Sequence, residues 1–568
     1  MLILTLTITF CSLKRIEITQ ANATIYIRAD GRVDPQSGPI TTTDNITYTF
    51  IDNISDQLVI QRNNIVVDGN SHELQGSGSG TGISLASVNN VTIKNTNIND
   101  FTYGVNLTQA ANNIIIGNNV TNNSNSIQLD QSTNNNITGN NITSNLGRGI
   151  VFEWYSDNNT ISSNTITDYR GIYMGNSYNN TLTGNVINNS QYSLHVWGSE
   201  QRHFMHTIGV SNLKDGEIIY YLVNRKDLII DPSEYPQVGY LALVNCDNIT
   251  IKKLFLTRNG EGLLLANTNN SRMSDTIITG NYYGIRLLWS SNNTISSSNI
   301  ANSYDNGIEI ARNSKNNNII GNNITNNGHR ANSNGLWTDG HSDSNTIAGN
   351  NITNNKKGVW IGYVSNNTFC HNNFLGNTLH VDATSSSDAN FWDNGFEGNY
   401  WSNYSGADLH GGPYQNETSS DGIGDTPHII DLHNRDNYPL MGTLLAFNTT
   451  AAYEIQTVSN STIRDFQYND TAICFRASGE NGTTGFCRIS IPKALMNGNY
   501  RVFVNNTEIP YALLSWPTNA HNRLYFTYNH STQEITITPE FPQNAILPLL
   551  IITASLAAIM RKRKARNP

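Results

Sequence analysis

The sequence predicts an all-β chain: a right-handed parallel β-helix with about 22 residues per coil, a small C-terminal β-sandwich and a terminal apolar anchor. Three observations predict it. An Asn-rich motif returns at a nearly constant spacing, its residues favour strands and bends over helices, and apolar and polar residues alternate from Leu444 to Thr538. A period of this length is typical of solenoids.

Each copy of the repeat has an Asn-rich lead, an apolar residue, another apolar residue five positions later and often a Gly-apolar-x-apolar run. Helical repeats are excluded because Asn, Ser, Thr, Gly and β-branched residues suit helices poorly. Leucine-rich repeats are excluded because Leu is not the recurrent residue. The first apolar residue of each copy falls at Ile93, Ile115, Ile137, Ile161, Leu182, Ile251, Met273, Ile295, Ile319, Ile347 and Phe369.

A single coil buries almost nothing, so the interior must be shared between coils. Coils of a β-helix stack about 4.8 Å apart, and each inward side chain then meets its counterparts above and below. We therefore expect Ile137 to lie between Ile115 and Ile161. Asparagine suits the bends because it tolerates left-handed backbone and bonds locally, and stacked Asn side chains form hydrogen-bonded ladders.

The repeats between Asn63 and His380 resemble the NosD-like and CASH-type β-helix repeats of archaeal surface proteins, a group of carbohydrate-binding proteins and sugar hydrolases. The resemblance implies the right-handed parallel β-helix. It implies less about function, since the motif records coil geometry.

The predicted organisation follows from where the motif begins, breaks and ends. Gly198 to Gln237 breaks the Asn pattern, which predicts a protruding hairpin or lid there. An open coil end is an unpaired edge that needs a cap. We predict a signal peptide at 1–23, an N-terminal cap at 24–62, the β-helix at 63–380 with the insertion near 198–237, a C-terminal cap at 381–442, a small β domain at 443–538, and a PEFP motif, apolar segment and basic tail at 539–568.

Both termini indicate export. Leu2 to Leu13 is apolar and "ANA" at 21–23 suits cleavage of a signal peptide, although a late start codon or a retained anchor are alternatives. Near the other end, "PEFP" precedes an apolar run and "RKRKAR", which together resemble the PEF-type sorting signals of archaeal surface proteins. The resemblance implies an archaeosortase-like processing enzyme as a partner, with plain membrane retention as the alternative. We expect the chain on the outer face of the cell envelope, anchored to the membrane.

The Gly-apolar-x-apolar runs also predict which residues face outward. In each run the apolar residues next to Gly face inward, and the residues between them face out. One outward column contains Gln128, Val151, Tyr173, His195, Arg286, Glu309, Trp337 and Trp360, and a second contains Asp130, Glu153, Gly175, Trp197, Leu288, Ala311, Asp339 and Gly362. Aromatic faces stack on sugar rings, so the carbohydrate-binding candidates are Tyr173, His195, Trp197, Arg286, Trp337 and Trp360.

Catalysis is a separate hypothesis. Glycosidic cleavage uses two carboxylates about 5 to 9.5 Å apart, and the weak candidates are Asp130, Glu153, Glu309 and Asp339. "TDGHS" at 338–342 resembles the Gly-His-Gly element of polygalacturonases, but the aspartate cluster of that family is missing. The preferred function is a non-catalytic envelope protein, adhesin or carbohydrate-binding protein with an extracellular polysaccharide as partner. A polysaccharide lyase, hydrolase or epimerase is the alternative.

Two metal sites are weaker hypotheses. Calcium is a candidate cofactor and prefers oxygen ligands, for which the candidates are Asp421, Asp425, Asp431 and Asp436. Copper accepts imidazole and thioether ligands, and "RHFMH" supplies His203, Met205 and His206, so a NosD-like copper-handling role is a second alternative. A net charge of −9 without a basic patch excludes nucleic acid as the main partner.

The sequence also predicts two covalent modifications, a disulfide and N-glycosylation. Cys474 and Cys487 flank a turn-rich span, and a disulfide between them would fit an exported protein. Asn-x-Ser/Thr sequons recur in the repeats, for example at Asn141 and Asn351, and we expect N-glycosylation only on exposed bends.

Overall fold

The computed structural model describes residues 24–143, 147–383, 389–449, 453–469, 471–516, 518 and 520–540. The predicted signal peptide, the apolar segment and the basic tail lie outside this range. The regular secondary structure of the described residues is β-strand, apart from one short 3₁₀ helix at Gln201–Phe204. Within the described ranges no helix is long and apolar enough to cross a membrane. The all-β fold class is confirmed.

The chain forms two compact units, Met1–Tyr221 and Leu222–Pro568. Each contains a stack of coils with three strand faces. Face 1 carries the Gly-apolar-x-apolar run, and faces 2 and 3 carry the two shorter strands that follow it. Neighbouring coils pair in parallel, which gives a β-solenoid.

In the first unit, three sheets make up the faces. Face 1 contains Val33–Asp34, Ile25–Ile27, Leu58–Ile60, Thr81–Ala86, Tyr103–Thr108, Asn125–Asp130, Arg148–Glu153, Arg170–Gly175 and Tyr192–Trp197. Face 2 contains Ile40–Thr41, Thr47–Phe50, Ile65–Asp68, Val91–Lys94, Ile114–Ile116, Asn136–Thr138, Thr160–Ser162, Thr181–Thr183 and Thr207–Ile208. Face 3 contains Glu73–Gln75, Asn97–Asn99, Asn119–Thr121, Asn141–Thr143, Thr165–Thr167, Val186–Ile187, Leu213–Lys214 and the antiparallel Glu217–Val223.

In the second unit the same three faces recur. Face 1 contains Val238–Val244, Glu261–Ala266, Tyr283–Leu288, Ile308–Ala311, Leu336–Thr338, Lys357–Ile361 and Leu379–Asp382. Face 2 contains Ile229–Ile230, Thr250–Lys252, Arg272–Ser274, Thr294–Ser296, Asn318–Ile320, Thr346–Ala348 and Thr368–Cys370. Face 3 contains Phe255–Thr257, Ile277–Thr279, Asn299–Ala301, Asn323–Thr325, Asn351–Thr353, Asn373–Leu375 and Tyr400–Trp401.

The predicted stacking of the sparse aliphatic residues is confirmed. Ile137 pairs with Ile115 on one side and with Ile161 on the other. All three side chains are completely buried. Because each coil contributes only a few such residues, the core exists only as a property of the stack.

Buried asparagines form a second interior framework. Asn113, Asn135, Asn159 and Asn180 lie on successive coils, and the Nδ2 of each donates to the Oδ1 of the next at 3.0 to 3.2 Å. The same Oδ1 atoms accept backbone N–H groups, as Asn135 does from Asn113. Buried polar groups are costly when unpaired, so this ladder satisfies the backbone where the strands end. Other asparagines, such as Asn134, take the left-handed bends.

The segment near 198–237, predicted to be a protruding hairpin or lid, contains an antiparallel hairpin in which Leu213–Lys214 pairs with Glu217–Val223. Thr207–Ile208 pairs in parallel with Thr181–Leu182. Asn212 continues a second buried ladder of asparagines by accepting from Asn185 at 2.8 Å, and the earlier members of that ladder are Asn118, Asn140 and Asn164. The segment therefore supplies strands to the stack, because its few apolar and Asn positions still match the coil. The stack also begins within the predicted N-terminal cap, where Ile25–Ile27 pairs in parallel with Leu58–Ile60.

Aromatic rings close the coils of the second unit. Trp392 stacks on Phe369 with 4.4 Å between centroids, and Trp401 stacks on Phe374 with 4.3 Å. The short antiparallel pair His428–Ile429 and Arg435–Asp436 follows.

Two five-stranded antiparallel sheets then form the C-terminal β-sandwich around one apolar core. The first sheet contains Thr443–Asn448, Glu454–Ser459, Thr484–Pro492, His521–Asn529 and Ala512–Leu513. The second contains Thr462–Asn469, Ala472–Ser478, Thr532–Pro539, Tyr500–Val504 and Thr507–Ile509.

The predicted Cys474–Cys487 disulfide is not formed, because both thiols are free. Cys487 lies in the sandwich core on a strand of the first sheet. Cys474 lies on a strand of the second sheet, where its neighbours Ile473 and Phe475 are buried and Cys474 is half-buried. Since side chains alternate along a strand, Cys474 faces away from the core that holds Cys487.

Candidate functional site

Face 1 of the second unit carries the predicted outward column in register. Arg286 pairs with Glu309, Glu309 with Trp337, and Trp337 with Trp360. The next partner of Trp360 is Asp382. One coil repeat therefore separates each of these side chains from the next.

Trp337 and Trp360 form an aromatic pair on this face. Their centroids are 5.4 Å apart, their planes differ by 16°, and both side chains are partly exposed. A Cβ atom on Gly362 would lie 2.6 Å from the Trp360 ring, so the ring lies across Gly362, close to the strand backbone. Tyr363, 65% exposed, follows directly. We call Trp337, Trp360, Tyr363, Asp339 and Asp382 the aromatic strip.

The two carboxylates of the strip lie beside its aromatic rings and are held by hydrogen bonds and an ion pair. Asp339 Oδ1 accepts the Gly340 N–H at 2.7 Å and the Tyr363 N–H at 3.3 Å. Asp382 pairs with Lys357 at 2.7 Å, and both side chains are largely buried. The strip thus combines aromatic rings with fixed charges, the combination that binds the rings and hydroxyls of a sugar.

Arg286 is not presented to solvent as predicted. It is only 2% exposed, and its guanidinium lies 3.0 Å from Glu309 and 3.4 Å from Glu261. The Tyr240 hydroxyl donates to Glu261 at 3.1 Å, and the Arg286 Cζ lies 4.6 Å from the Tyr283 ring centroid. A buried charge persists when it is paired in this way. Burial lowers the pKa of Arg286, but Glu309, Tyr283 and Glu261 outweigh that effect and raise it.

Glu309 and Asp339, two of the weak catalytic candidates, are both engaged in contacts within the fold. Glu309 is 6% exposed and bonded to Arg286, and Asp339 caps backbone N–H groups on another coil. Leu288 and Ala311, predicted to face solvent, are also buried. Alternation places these residues on the outer side of the strand but does not determine what covers them.

Face 1 of the first unit holds the other aromatic candidates in register. Tyr173 pairs with His195, their rings meet edge to face at 5.2 Å, and Arg148 lies 3.9 Å over the Tyr173 ring. Trp197 is partly exposed and pairs with Gly175, and the Tyr173 ring lies against Gly175 as Trp360 does against Gly362. Val151 of the same column is fully buried, which was not expected.

Asp130 and Glu153 lie on neighbouring coils, as the sequence predicts. Glu153 accepts from Arg148 at 3.1 Å. Burial raises the pKa of Glu153 and Asp130 adds to that, whereas Arg148 lowers it, and the net shift is upward. The pair meets one requirement of a general acid, but its arginine partner favours the ionised form.

The four predicted calcium ligands do not come together. Asp421 accepts from Gln415, Asp425 from Leu409 and His410, Asp431 from Asn434, and Asp436 from Asn399 and Trp401. Each carboxylate therefore closes its own turn or contact. In the part of the chain that the structure describes, no three His, Cys, Asp or Glu side chains form a group suited to a metal.

The side chains of "RHFMH" that were predicted to bind copper are also not arranged to hold a metal ion. His206 is 4% exposed, its Nδ1 accepts from Asn180 and its Nε2 lies 3.0 Å from the His203 carbonyl. Burial lowers the pKa of His206 to about 3, with a smaller charge effect from His203 in the same direction. Both ring nitrogens are thus used inside the fold, and His203 is also buried. This donor set does not fit a resident copper ion.

Glu261 and Tyr283 contact Arg286 in the candidate site but belong to neither of the two predicted outward columns. They pair with each other in register directly before the Gly of their repeats. Aligning the residues that directly precede the Gly of each repeat would have identified them as a third column.

The family described as "Periplasmic copper-binding protein (NosD)" matches residues 18–208 and 206–406. No curated protein matches the chain. Solved structures with a likeness include the Dettilon tailspike protein, with 12% identity, coverage of 85% of this chain and 87% of that chain, and a TM-score of 0.20. A mutant tailspike protein of E. coli bacteriophage HK620 in complex with pentasaccharide has 12% identity, 86% and 76% coverage and a TM-score of 0.25.

A mutant of the periplasmic alginate epimerase AlgG has 11% identity, coverage of 61% of this chain and 68% of that chain, and a TM-score of 0.22. At such TM-scores these likenesses carry nothing about the activity of the chain. The family match is different in extent, because it spans the coils of both units. Since it covers more than half of the 568 residues, the chain belongs to the NosD family.

Proposed function

We propose that the protein is an envelope-facing β-solenoid that binds an extended polysaccharide along the aromatic strip of the second unit without cleaving it. The observation that carries the proposal is the in-register pair Trp337 and Trp360, with the Trp360 ring lying across Gly362. The family's description as periplasmic supports the envelope location.

The geometry of the strip suits a linear polymer. Its members repeat once per coil, at about 4.8 Å, so the strip offers similar contacts at regular intervals along the stack. Ring faces contact the apolar side of a sugar, and Asp339, Asp382 and Lys357 provide acceptors and a donor for hydroxyls. Because the Lys357–Asp382 pair already neutralises itself, the strip does not demand a charged polymer.

Carboxylate pairing favours binding over cleavage. Glu261 and Glu309 share Arg286, so each carboxylate is held as a hydrogen-bond acceptor. A general acid in glycosidic cleavage must instead carry a proton. The one observation that favours an enzyme is the Asp130–Glu153 pair with its upward pKa shift at Glu153. Cleavage at that pair is the second candidate function.

Membrane anchoring and an archaeosortase-like partner remain part of the proposal on the strength of the sequence at 539–568. No metal enters it, since the described residues offer neither a copper nor a calcium group.

Trp360→Ala tests the proposal. Binding of the full chain to alginate, polygalacturonate, xylan and soluble glucan is measured by isothermal titration calorimetry, with product length followed by chromatography. Loss of one stacking ring should weaken binding to the preferred polymer about five-fold or more, since such a contact contributes roughly 1 kcal/mol or more.

Tyr414→Ala is the matched control, because Tyr414 is an aromatic residue of the cap that is 83% exposed and lies outside the strip. It should bind as the wild type does. Failure of every polymer to bind, or equal binding by both variants, would refute the proposal. Shorter products that disappear in Glu153→Gln would establish the enzyme instead.

A further inference from the structure

A polar cleft lies between face 3 of the second unit and the β-sandwich. Its volume is about 430 Å³, within the range of small-ligand sites. The wall from the solenoid contains Asn323, Asn351 and Thr353, and the wall from the sandwich contains Ser461 and Thr462. Among the described residues that line it there is no Asp, Glu, Lys or Arg. A neighbouring cavity of about 320 Å³ shares Asn351 with it.

Asn373 fixes the two walls to each other. Its Nδ2 donates to the Leu444 carbonyl at 2.8 Å, and its Oδ1 accepts the Leu444 N–H at 2.8 Å. The sandwich is thereby joined to the solenoid by two hydrogen bonds between the Asn373 side-chain amide and the backbone of Leu444, on the first strand of the first sheet. The cleft is therefore a formed feature of the unit, with a wall geometry that does not depend on a ligand.

The outer asparagine ladder of face 3 is interrupted inside this cleft. Asn373 donates to Asn351 at 2.7 Å, and Asn323 donates to Asn299 at 3.0 Å. Asn323 and Asn351 pair in register, yet among the described residues the Asn351 Nδ2 and the Asn323 Oδ1 have no hydrogen-bond partner.

The first unit shows that such a bond is possible at this position. On its face 3, Asn141 donates to Asn119 across one coil at 2.8 Å. The cleft thus leaves one amide donor and one amide acceptor unused, one coil apart, in a partly buried wall.

A sugar hydroxyl can bridge the Asn351 Nδ2 and the Asn323 Oδ1, because one hydroxyl accepts from an N–H and donates to a carbonyl oxygen at the same time. Leu375, Leu445 and Tyr400 line the same cleft and provide apolar contact for the C–H groups of a sugar ring. With no charged side chain in the lining, an acidic sugar would lose hydration without gaining an ion pair. We propose that this cleft is a second carbohydrate site, specific for a neutral oligosaccharide and independent of the aromatic strip.

Asn351→Asp tests the site, since it replaces the amide donor by an acceptor of the same size. Binding of the unglycosylated full chain to cellohexaose, maltohexaose, mannohexaose and hexaguluronate is measured by isothermal titration calorimetry. The wild type should bind at least one of the three neutral oligosaccharides and not hexaguluronate at this site. Asn351→Asp should weaken neutral binding about ten-fold or more.

Asn141→Asp is the matched control, at the corresponding position of the first unit, and should leave binding unchanged. Trp360→Ala distinguishes the two sites, because it should weaken binding at the strip and leave binding in the cleft unchanged. The two proposals are therefore tested separately. Absence of neutral binding by the folded wild type, or unchanged binding by Asn351→Asp, would overturn the proposal.

Discussion

Inside the coils of the first unit, Asn113, Asn135 and Asn159 lie on successive coils and bond to one another. On face 1 of the second unit, Trp337 and Trp360 are also neighbours on successive coils, but they are partly exposed. The spacing is the same in both columns. The inward column uses its hydrogen-bonding groups to satisfy the backbone, whereas Trp337 and Trp360 of the outward column keep part of their ring surface exposed. Burial therefore separates the structural column from the column that we propose binds a ligand.

Removing one amide of the inward ladder should give the largest effect. In Asn135→Ala, the Asn113 N–H loses its partner in a dry interior. The bonds from Asn135 Nδ2 to the Ala110 carbonyl and to Asn159 Oδ1 are also lost, although the Thr133 N–H still donates to that carbonyl. Each unsatisfied buried group costs about 1–3 kcal/mol, so unfolding free energy should fall by roughly 3–5 kcal/mol, or the protein should fail to fold.

The control for that variant is the adjacent Asn134→Ala. Asn134 takes a left-handed bend and is not part of the buried ladder. Its loss should be about 1–2 kcal/mol, from backbone strain alone. Urea denaturation compares the two, and equal losses would show that the ladder is not what holds the coils.

Much of this comparison could be predicted from the sequence. Ile115, Ile137 and Ile161 were placed in register from their spacing alone, since a constant period leaves a solenoid little choice of alignment. The columns of face 1 followed by the same argument. The sequence predicts that Asn side chains form ladders, but it does not identify the buried ones. Composition does not show which of two adjacent Asn residues faces inward.

The sequence could not predict what covers a residue or which sheet a strand joins. Arg286 was placed on the correct side of its strand, but its burial depends on Glu261 and Glu309 from neighbouring coils. Cys474 and Cys487 looked like the two ends of a hairpin. Their strands belong to opposite sheets of the sandwich, and only the assembled domain reveals that.

Arg286→Met sharpens the comparison within the outward column, because this residue is as buried as the inward ladder. The change leaves Glu261 and Glu309 buried without their counter-ion, which should cost about 3 kcal/mol at pH 7. Burial disfavours ionised carboxylates, so the loss should shrink as acid protonates them. Denaturation at pH 7 and pH 4 measures this, and a loss independent of pH would contradict the paired-charge account.

Glu153→Gln should have the smallest effect. Its raised pKa, caused by burial first and by Asp130, means that the folded state prefers the protonated form. The wild type therefore loses stability as pH rises through the ordinary range of a glutamate, and Gln, which mimics the protonated form, avoids the loss. The side chain is 28% exposed, so the gain at pH 7 should be below about 1 kcal/mol and absent at pH 3. A destabilised variant at pH 7 would show that the Arg148 bond dominates.

The central claim, that an extended polysaccharide lies along the aromatic strip, is tested most directly by affinity against oligomer length. Oligomers of two to ten sugars from the preferred polymer are titrated into the full chain and into Trp360→Ala. The coils of Trp337, Trp360 and Asp382 span about 10 Å, and the account predicts affinity that rises until an oligomer covers them and then levels off, with a weaker and earlier plateau in the variant. Affinity independent of length, or identical curves for the two proteins, would contradict it.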